Sequence, residues 1–379
     1  MSNSIGLYVH IPFCAKKCLY CDFTSYAGVL AKQYVYKDAI IKEMGMRANM
    51  IGDKRISTIF IGGGTPSIID TAVINAIIDE VRKNFHVEQD AEVTIEINPG
   101  TVNAKSLTDY RAMGINRLSI GLQAWQDELL KAIGRIHTSA EFVDSYNEAR
   151  KAGFDNINVD LMFGLPQQTI GQWIHTLQAV VSLGPEHISC YDLQIEEGTR
   201  MYKMVADGDI KPLDEDADRL MYKTAVELLG NEGYERYEVS NFAKPGFRCR
   251  HNLNYWYNGH YVGLGCAAHS YLNHIRWANM SGLQSYIDTV SDDNIPMDFE
   301  EYIDHDTEMF ETMMLGLRTS EGVNKKLFEE RFGIQLYQRY GHAIDKLSAM
   351  GLMCDDESAV KVSDKGMDVL NSVLVEFLP

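Results

Sequence analysis

The chain is short of positive charge. Its 35 Lys and Arg stand against 53 Asp and Glu in 379 residues, a net charge of −18, which excludes a nucleic-acid binder acting through an overall basic field. No apolar run approaches the ~20 residues that a helix needs to cross a bilayer. The start, Met1-Ser2-Asn3-Ser4-Ile5-Gly6-Leu7, has no basic segment leading into a signal-peptide core, so a cytosolic protein is expected. Internal repeats and low-complexity tracts are absent, which excludes a stacked array. A disulfide framework is missing too. The seven cysteines are an odd number; Cys190, Cys249, Cys266 and Cys354 are scattered, and only Cys14, Cys18 and Cys21 cluster. In a reducing compartment such a cluster points to metal or redox chemistry. What is present is core material: 45% hydrophobic and 10% aromatic residues, in a length that allows two or three domains.

Six short β-rich runs recur, at 7–11, 58–61, 92–97, 117–120, 156–161 and 187–193. Between them, 34–49, 71–84, 104–113, 140–152 and 171–183 carry helical spacing, as in Ile74, Ile77, Ile78 and Val81. Glycines at 114 and 153 close two of these helices. Alternating β and α units of this length predict a parallel sheet with right-handed crossovers, doubly wound or a complete or partial barrel. The expected organisation is a core over 1–235, an aromatic-rich connecting segment over 236–299, and a C-terminal domain over 300–379. That last part reads as helices at 325–332 and 336–350, a hairpin across 352–362 and a final helix at 364–377, a mainly helical, winged-helix-like pattern. With 8 Lys and Arg against 16 Asp and Glu from residue 300 onward, it is not expected to read DNA.

Cys14-Ala-Lys-Lys-Cys18-Leu-Tyr-Cys21 has the spacing C-x3-C-x2-C in the loop after the first strand. A structural zinc would want a fourth ligand, and neither Cys nor His follows closely. An iron–sulfur cubane held by three thiolates leaves one iron open to another ligand. Zinc or unligated thiols are the other readings of these residues alone. His10, the nearest imidazole, is expected to pack or hydrogen-bond beside the loop.

In a β/α barrel the reactive groups lie at the C-terminal ends of the strands, and the unusual residues fall there. Strand two runs into Gly62-Gly63-Gly64-Thr65-Pro66, where bare backbone can approach a ligand or merely turn. It is no P-loop, because no Gly-Lys-Ser/Thr follows. Glu96 and Asp160 sit inside apolar strands, where a carboxylate is costly unless paired or ligand-bound. Gln123 ends strand four, and Arg135 follows a helix; taken alone, Arg135 reads as a surface residue.

Tyr8-Val-His10-Ile-Pro12-Phe13-Cys14, with Cys18-Leu-Tyr20-Cys21, resembles the signature of the radical S-adenosylmethionine (SAM) family. The resemblance implies a partial (β/α)6 barrel, a [4Fe–4S] cluster on Cys14, Cys18 and Cys21, and SAM chelating the fourth iron. It further implies a SAM site formed by Tyr8, Gly63, Gly64, Thr65, Glu96, Gln123, Arg135 and Asp160, matching the coproporphyrinogen-oxidase-like members. Two branches of that group compete: the oxygen-independent coproporphyrinogen III oxidases, radical decarboxylases of haem synthesis, and a haem-chaperone branch. The oxidase pattern continues to a fourth cysteine where this chain has Phe23, and has a longer N-terminal extension than the 13 residues before Cys14. His251-Asn252-Leu-Asn-Tyr255-Trp256 resembles the HNxxYW motif of the chaperone branch, with His251 as a candidate axial haem ligand between aromatic flanks. The residues also read as an aromatic core patch around a hydrogen-bonded histidine. The stretch 259–270, with His260, Cys266 and His269, adds further candidates for haem contact, although Cys266, like Cys190, Cys249 and Cys354, reads as a small packing residue. The resemblance thus implies delivery of haem to respiratory acceptor proteins, with cluster and SAM regulating transfer or the formation of a homodimer. The enzyme alternative is radical decarboxylation of a tetrapyrrole, and a third reading is a degenerate barrel whose tail only contacts partners.

Overall fold

A computed structural model describes residues 4–378; residue 379 and residues 1–3, the first part of the N-terminus read above for an export signal, lie outside the described residues. Six strands, β1 (Ser4–Ile11), β2 (Arg55–Gly63), β3 (His86–Ile97), β4 (Arg117–Gln123), β5 (Ile157–Phe163) and β6 (His187–Asp192), run parallel and neighbour one another in chain order. That order never reverses, which distinguishes the sheet from a doubly wound one. The crossover helices are those expected. Those at Ser139–Lys151 and Ile170–Leu183 begin at capping boxes, Thr138 with Glu141 and Thr169 with Gln172, which satisfy amide groups a helix start leaves unpaired.

The strands alternate sharply. Val9, Ile61, Ile95, Leu118 and Ile157 share one register row, and Ile97, Ile120, Val159 and Ile188 another, all buried in the main core. The rows that alternate with them hold Tyr8, Phe60, Thr94 and Arg117, then Glu96, Ser119, Asn158 and His187. Side chains from all six strands line a single inner cavity, so the sheet curves into a partial barrel, apolar where helices cover it and polar within. A parallel sheet covered on both faces would be apolar on both; this one carries polar groups on its inner face.

Residues 236–299 build onto that core. The strand Tyr261–Leu264 pairs parallel with β1 and continues through His269–Leu272, Ile275–Asn279 and Met297–Tyr302, while Asn241–Ala243 extends the sheet beyond β6. Trp277 and Tyr286 are buried in the main core. A second core, with Met313, Phe328, Ile344 and Val373, belongs to the C-terminal part. There the helices Lys325–Phe332 and Leu336–Ala349 accompany a three-stranded antiparallel sheet of Val323–Asn324, Ala359–Val362 and Met353–Asp355. The single final helix expected at 364–377 is instead two, Asp364–Met367 and Leu370–Val375, because Val369 leaves helical geometry at φ −130°, ψ 33°. No helix among the described residues is long and apolar enough to cross a membrane.

Candidate functional site

The loop after β1 is pinned at and between its cysteines. Phe13–Cys14 pairs with Tyr26–Ala27, Leu19 N–H donates to Ile133 C=O at 3.0 Å, and Leu19 C=O accepts from Met201 N–H at 2.9 Å. So held, Cys14, Cys18 and Cys21 are free thiols, partly exposed, on the wall of one cavity of about 380 Å³. The same wall carries Gly63, Gly64, Thr65, Glu96, Gln123, Arg135 and Asp160. Ten of the twelve expected site residues therefore meet in one place; Tyr8 and His251 are the exceptions.

Hydrogen bonds join these groups. Arg135 donates to Asn98 Oδ1 at 2.8 Å and Gly121 C=O at 2.6 Å, and its Nη1 lies 3.7 Å from Cys18 Sγ. Asn98 Nδ2 donates to Thr65 Oγ1 at 2.9 Å, and Thr65 Oγ1 is 3.6 Å from Cys14 Sγ. Arg135, read alone as a surface residue, is thus fixed inside the site. Asn98, which the sequence reading missed, is the hub; its signal was its place in Glu96-Ile-Asn98-Pro99, one residue past the end of β3.

The backbone is shaped for close approach. Gly63 has φ +118°, and a Cβ there would meet the His10 ring at 2.5 Å; a Cβ on Gly64 would fall 2.7 Å from Phe13 C=O and 3.0 Å from Cys14 Sγ. Gln123 follows a register shift in β4 and holds φ +73°. A side-chain-bearing residue in the left-handed region at a strand end marks stored strain, which concentrates at functional sites.

Two carboxyls face the cavity from the strands. Burial, and then the nearby Asp160, push the Glu96 carboxyl up to about 8, only partly offset by the Gly63 amide that donates to it at 3.0 Å. Burial also raises Asp160, against hydrogen bonds from Ser119 at 2.9 Å and Asn158 at 2.8 Å. A cationic ligand would favour the ionised forms of both. Free thiols, a bare-backbone cradle beside Cys14 and carboxyls awaiting a cation fit an iron–sulfur cluster with SAM as its ligand.

A larger cavity of about 790 Å³ adjoins the first, and the two share Asp22, Phe23, Gly63 and Glu96. Tyr8 lines it, with its hydroxyl bonded to His10 Nδ1 at 2.9 Å, and His10 Nε2 bonds Thr24 C=O at 2.8 Å. His10 thus packs beside the cysteine loop as expected. His251 lies elsewhere, in the short helix Arg250–Trp256 that sits against β2 and β3 within the barrel. It is 1% exposed, stacks on Phe60, and has both nitrogens engaged, Nδ1 with Thr58 Oγ1 and Nε2 with Tyr255 Oη, each at 2.8 Å. Burial pushes its pKa down to about 3. The expected axial ligand therefore offers no free nitrogen, and this geometry matches the hydrogen-bonded core histidine that was the other reading of the motif.

Residues 8–180 match the Radical SAM superfamily and residues 303–369 the HemN C-terminal domain. Over 372 residues, 98% of this chain and 98% of the relative, the sequence is 35% identical to "Heme chaperone HemW" of Bacillus subtilis (strain 168). Over 394 residues, 100% of this chain and 88% of the relative, it is 31% identical to "Radical S-adenosyl methionine domain-containing protein 1, mitochondrial" of Bos taurus. Among solved structures, coproporphyrinogen III oxidase (HemN) from Escherichia coli is similar with a TM-score of 0.86, covering 99% of this chain and 90% of that one. At 24% identity that likeness shows the fold alone.

Proposed function

Since the chain belongs to the HemW family of the radical SAM superfamily, we propose that it is a cytosolic haem chaperone, binding haem and passing it to respiratory haem proteins. Cys14, Cys18 and Cys21 would hold the [4Fe–4S] cluster, and Gly63, Gly64, Thr65, Glu96, Gln123, Arg135 and Asp160 would hold SAM, with Tyr8 at the border of the neighbouring cavity. When bound, the cluster supplies an iron site for SAM and an electron to it. Asn98 keeps Arg135 and Thr65 in place, and Glu96 and Asp160 supply negative charge opposite a cationic ligand. The observation that carries the reading is the shared wall: the thiol-lined cavity adjoins a roomier aromatic one through Phe23, Gly63 and Glu96. Such adjacency suits regulation of haem handling, or of homodimer formation, by the state of the cluster and SAM. Phe23, 64% exposed on that wall, stands where the resembling oxidases have a fourth cysteine.

The test is an anaerobic assay of cluster-reconstituted, haem-loaded protein that follows haem transfer to an apo-acceptor and SAM cleavage together. Haem transfer without decarboxylation is expected. Conversion of coproporphyrinogen III to protoporphyrinogen IX with SAM consumption would establish the oxidase instead.

SAM affinity should also depend on pH in a direction Glu96 dictates. Its folded pKa, about 8, is raised, so below that pH a proton must leave before the carboxylate can face a cation. Affinity is expected to fall from about pH 9 to about pH 6.5, by up to about tenfold per unit below the pKa. Glu96→Gln should bind SAM weakly with a flat profile over this range. The same sign makes the ionised carboxylate a destabilising group in the empty protein at high pH, so Glu96→Gln should melt above wild type there. An unchanged pH profile in the variant would remove Glu96 from the site.

A further inference from the structure

The larger cavity, at about 790 Å³, lies within the size range of sites that enclose cofactor-sized ligands. Phe23, Tyr255, Tyr261 and Tyr271 give its wall aromatic surface. Two histidines line it. His10 is saturated, as described above. His269 begins the strand His269–Leu272, is exposed, touches the Phe299 ring at a centroid distance of 6.0 Å, and has no hydrogen-bond partner for either ring nitrogen among the described residues.

We propose that His269, and not His251, is the axial ligand that holds the haem cargo in this cavity, an assignment that rests on the haem-chaperone reading. Three features set the imidazole in place. Its strand is fixed by pairing on Ile275–Asn279, with His269 opposite Ala278, and by Ser270 Oγ, which accepts from Gly263 N–H at 2.9 Å. The turn that delivers it passes through Gly265 at φ +97° and Ala267 at φ +58°. Ala267 itself lines the cavity, so here a side-chain-bearing residue is held in a left-handed conformation beside the ligand space. Arg276 lies on the wall beside Tyr271, its guanidinium 5.6 Å from that ring and paired at 2.7 Å with Glu311, which lines the same cavity.

Haemin titration of the full, cluster-reconstituted chain tests this. The wild type should give a Soret band and an electron paramagnetic resonance spectrum of histidine-ligated iron. His269→Ala should lose that signature and at least about tenfold in affinity, recover the spectrum with free imidazole, and keep its iron content, SAM binding and melting temperature. His251→Ala should retain the histidine-ligated spectrum. If His269→Ala binds with wild-type affinity and spectrum while His251→Ala loses the ligand, the assignment falls and the chaperone reading stands. A wild-type chain that shows no Soret band overturns the haem reading, and the assignment with it.

Discussion

Cys18→Ala is expected to leave the anaerobically reconstituted chain without a full [4Fe–4S] cluster, read as loss of most iron and sulfide and of the cluster's visible absorption. The reason is that no other thiol can take over. Cys190, Cys249 and Cys266 are buried, and burial pushes the thiols of Cys249 and Cys266 up to about 12 and that of Cys190 higher still. Cys354 is exposed, but in the C-terminal strand Met353–Asp355. A cluster needs thiolates, and only the three in the β1 loop share a cavity with the bare-backbone cradle. Asn98→Ala is the companion experiment. It removes the side chain joining Thr65 to Arg135, and a hydrogen bond to a charged group contributes about 1.5–3 kcal/mol. SAM affinity should therefore fall by about tenfold or more while cluster content holds. Full cubane retention in Cys18→Ala would refute the ligand assignment.

The parts of this site legible in the sequence were those written in residue type and order. Three cysteines at C-x3-C-x2-C, glycines after β2, and carboxylates in the apolar strands β3 and β5 each violate an ordinary expectation, and the structure gathers them into one cavity. Of the inner polar rows, only Glu96 and Asp160 stood out. Thr58-x-Phe60-x-Gly62, Glu92-x-Thr94-x-Glu96, Arg117-x-Ser119-x-Gly121 and His187-x-Ser189-x-Tyr191 all alternate, but runs this short read as generic strand until the register aligns them.

What the sequence withheld depends on long-range contact. Nothing local reveals that Glu92 accepts from the amides of Arg250 and His251 at 3.0 Å each, which seats the HNxxYW helix inside the barrel, where Thr58 and Tyr255 occupy the imidazole. Nor does composition show residues 241–243 and 261–302 building opposite edges of one sheet. Their aromatic density was visible; its destination was not. The free imidazole at His269 is likewise a fact of pairing geometry, since His10, His251 and His269 look alike in a string of letters.

Arg331→Ala is expected to destabilise the chain by about 3 kcal/mol or more, because it strands a buried charge. Glu308, 1% exposed, bonds Arg331 Nε at 3.0 Å as well as Nη2, and lies 3.1 Å from His274 Nδ1; Arg331 also donates to the carbonyls of Asn258 at 2.9 Å and Tyr257 at 3.3 Å. The bonds of Arg331 to those carbonyls and the contact of Glu308 with His274 thus tie the C-terminal helices to the segment after the HNxxYW motif. Burial opposes ionisation of Glu308, but the hydrogen bond and charge of Arg331, with the charge of His274, outweigh it and hold the carboxyl below its ordinary value. The pair's stabilisation is therefore present above the unfolded glutamate pKa and lost as pH falls through the lower folded one. Denaturant unfolding near neutral pH and in mild acid should show the variant's deficit shrinking in acid, where Glu308 can take up a proton. Glu308→Gln combined with Arg331→Met, which leaves no charge behind, should recover much of the loss. The helix His305–Gly316 that carries Glu308 also places Glu311, Met314 and Leu315 on the wall of the larger cavity. Arg331→Ala should accordingly weaken haem binding without touching the cluster, and a variant within about 0.5 kcal/mol of wild type would show that the ion pair does not fix that wall.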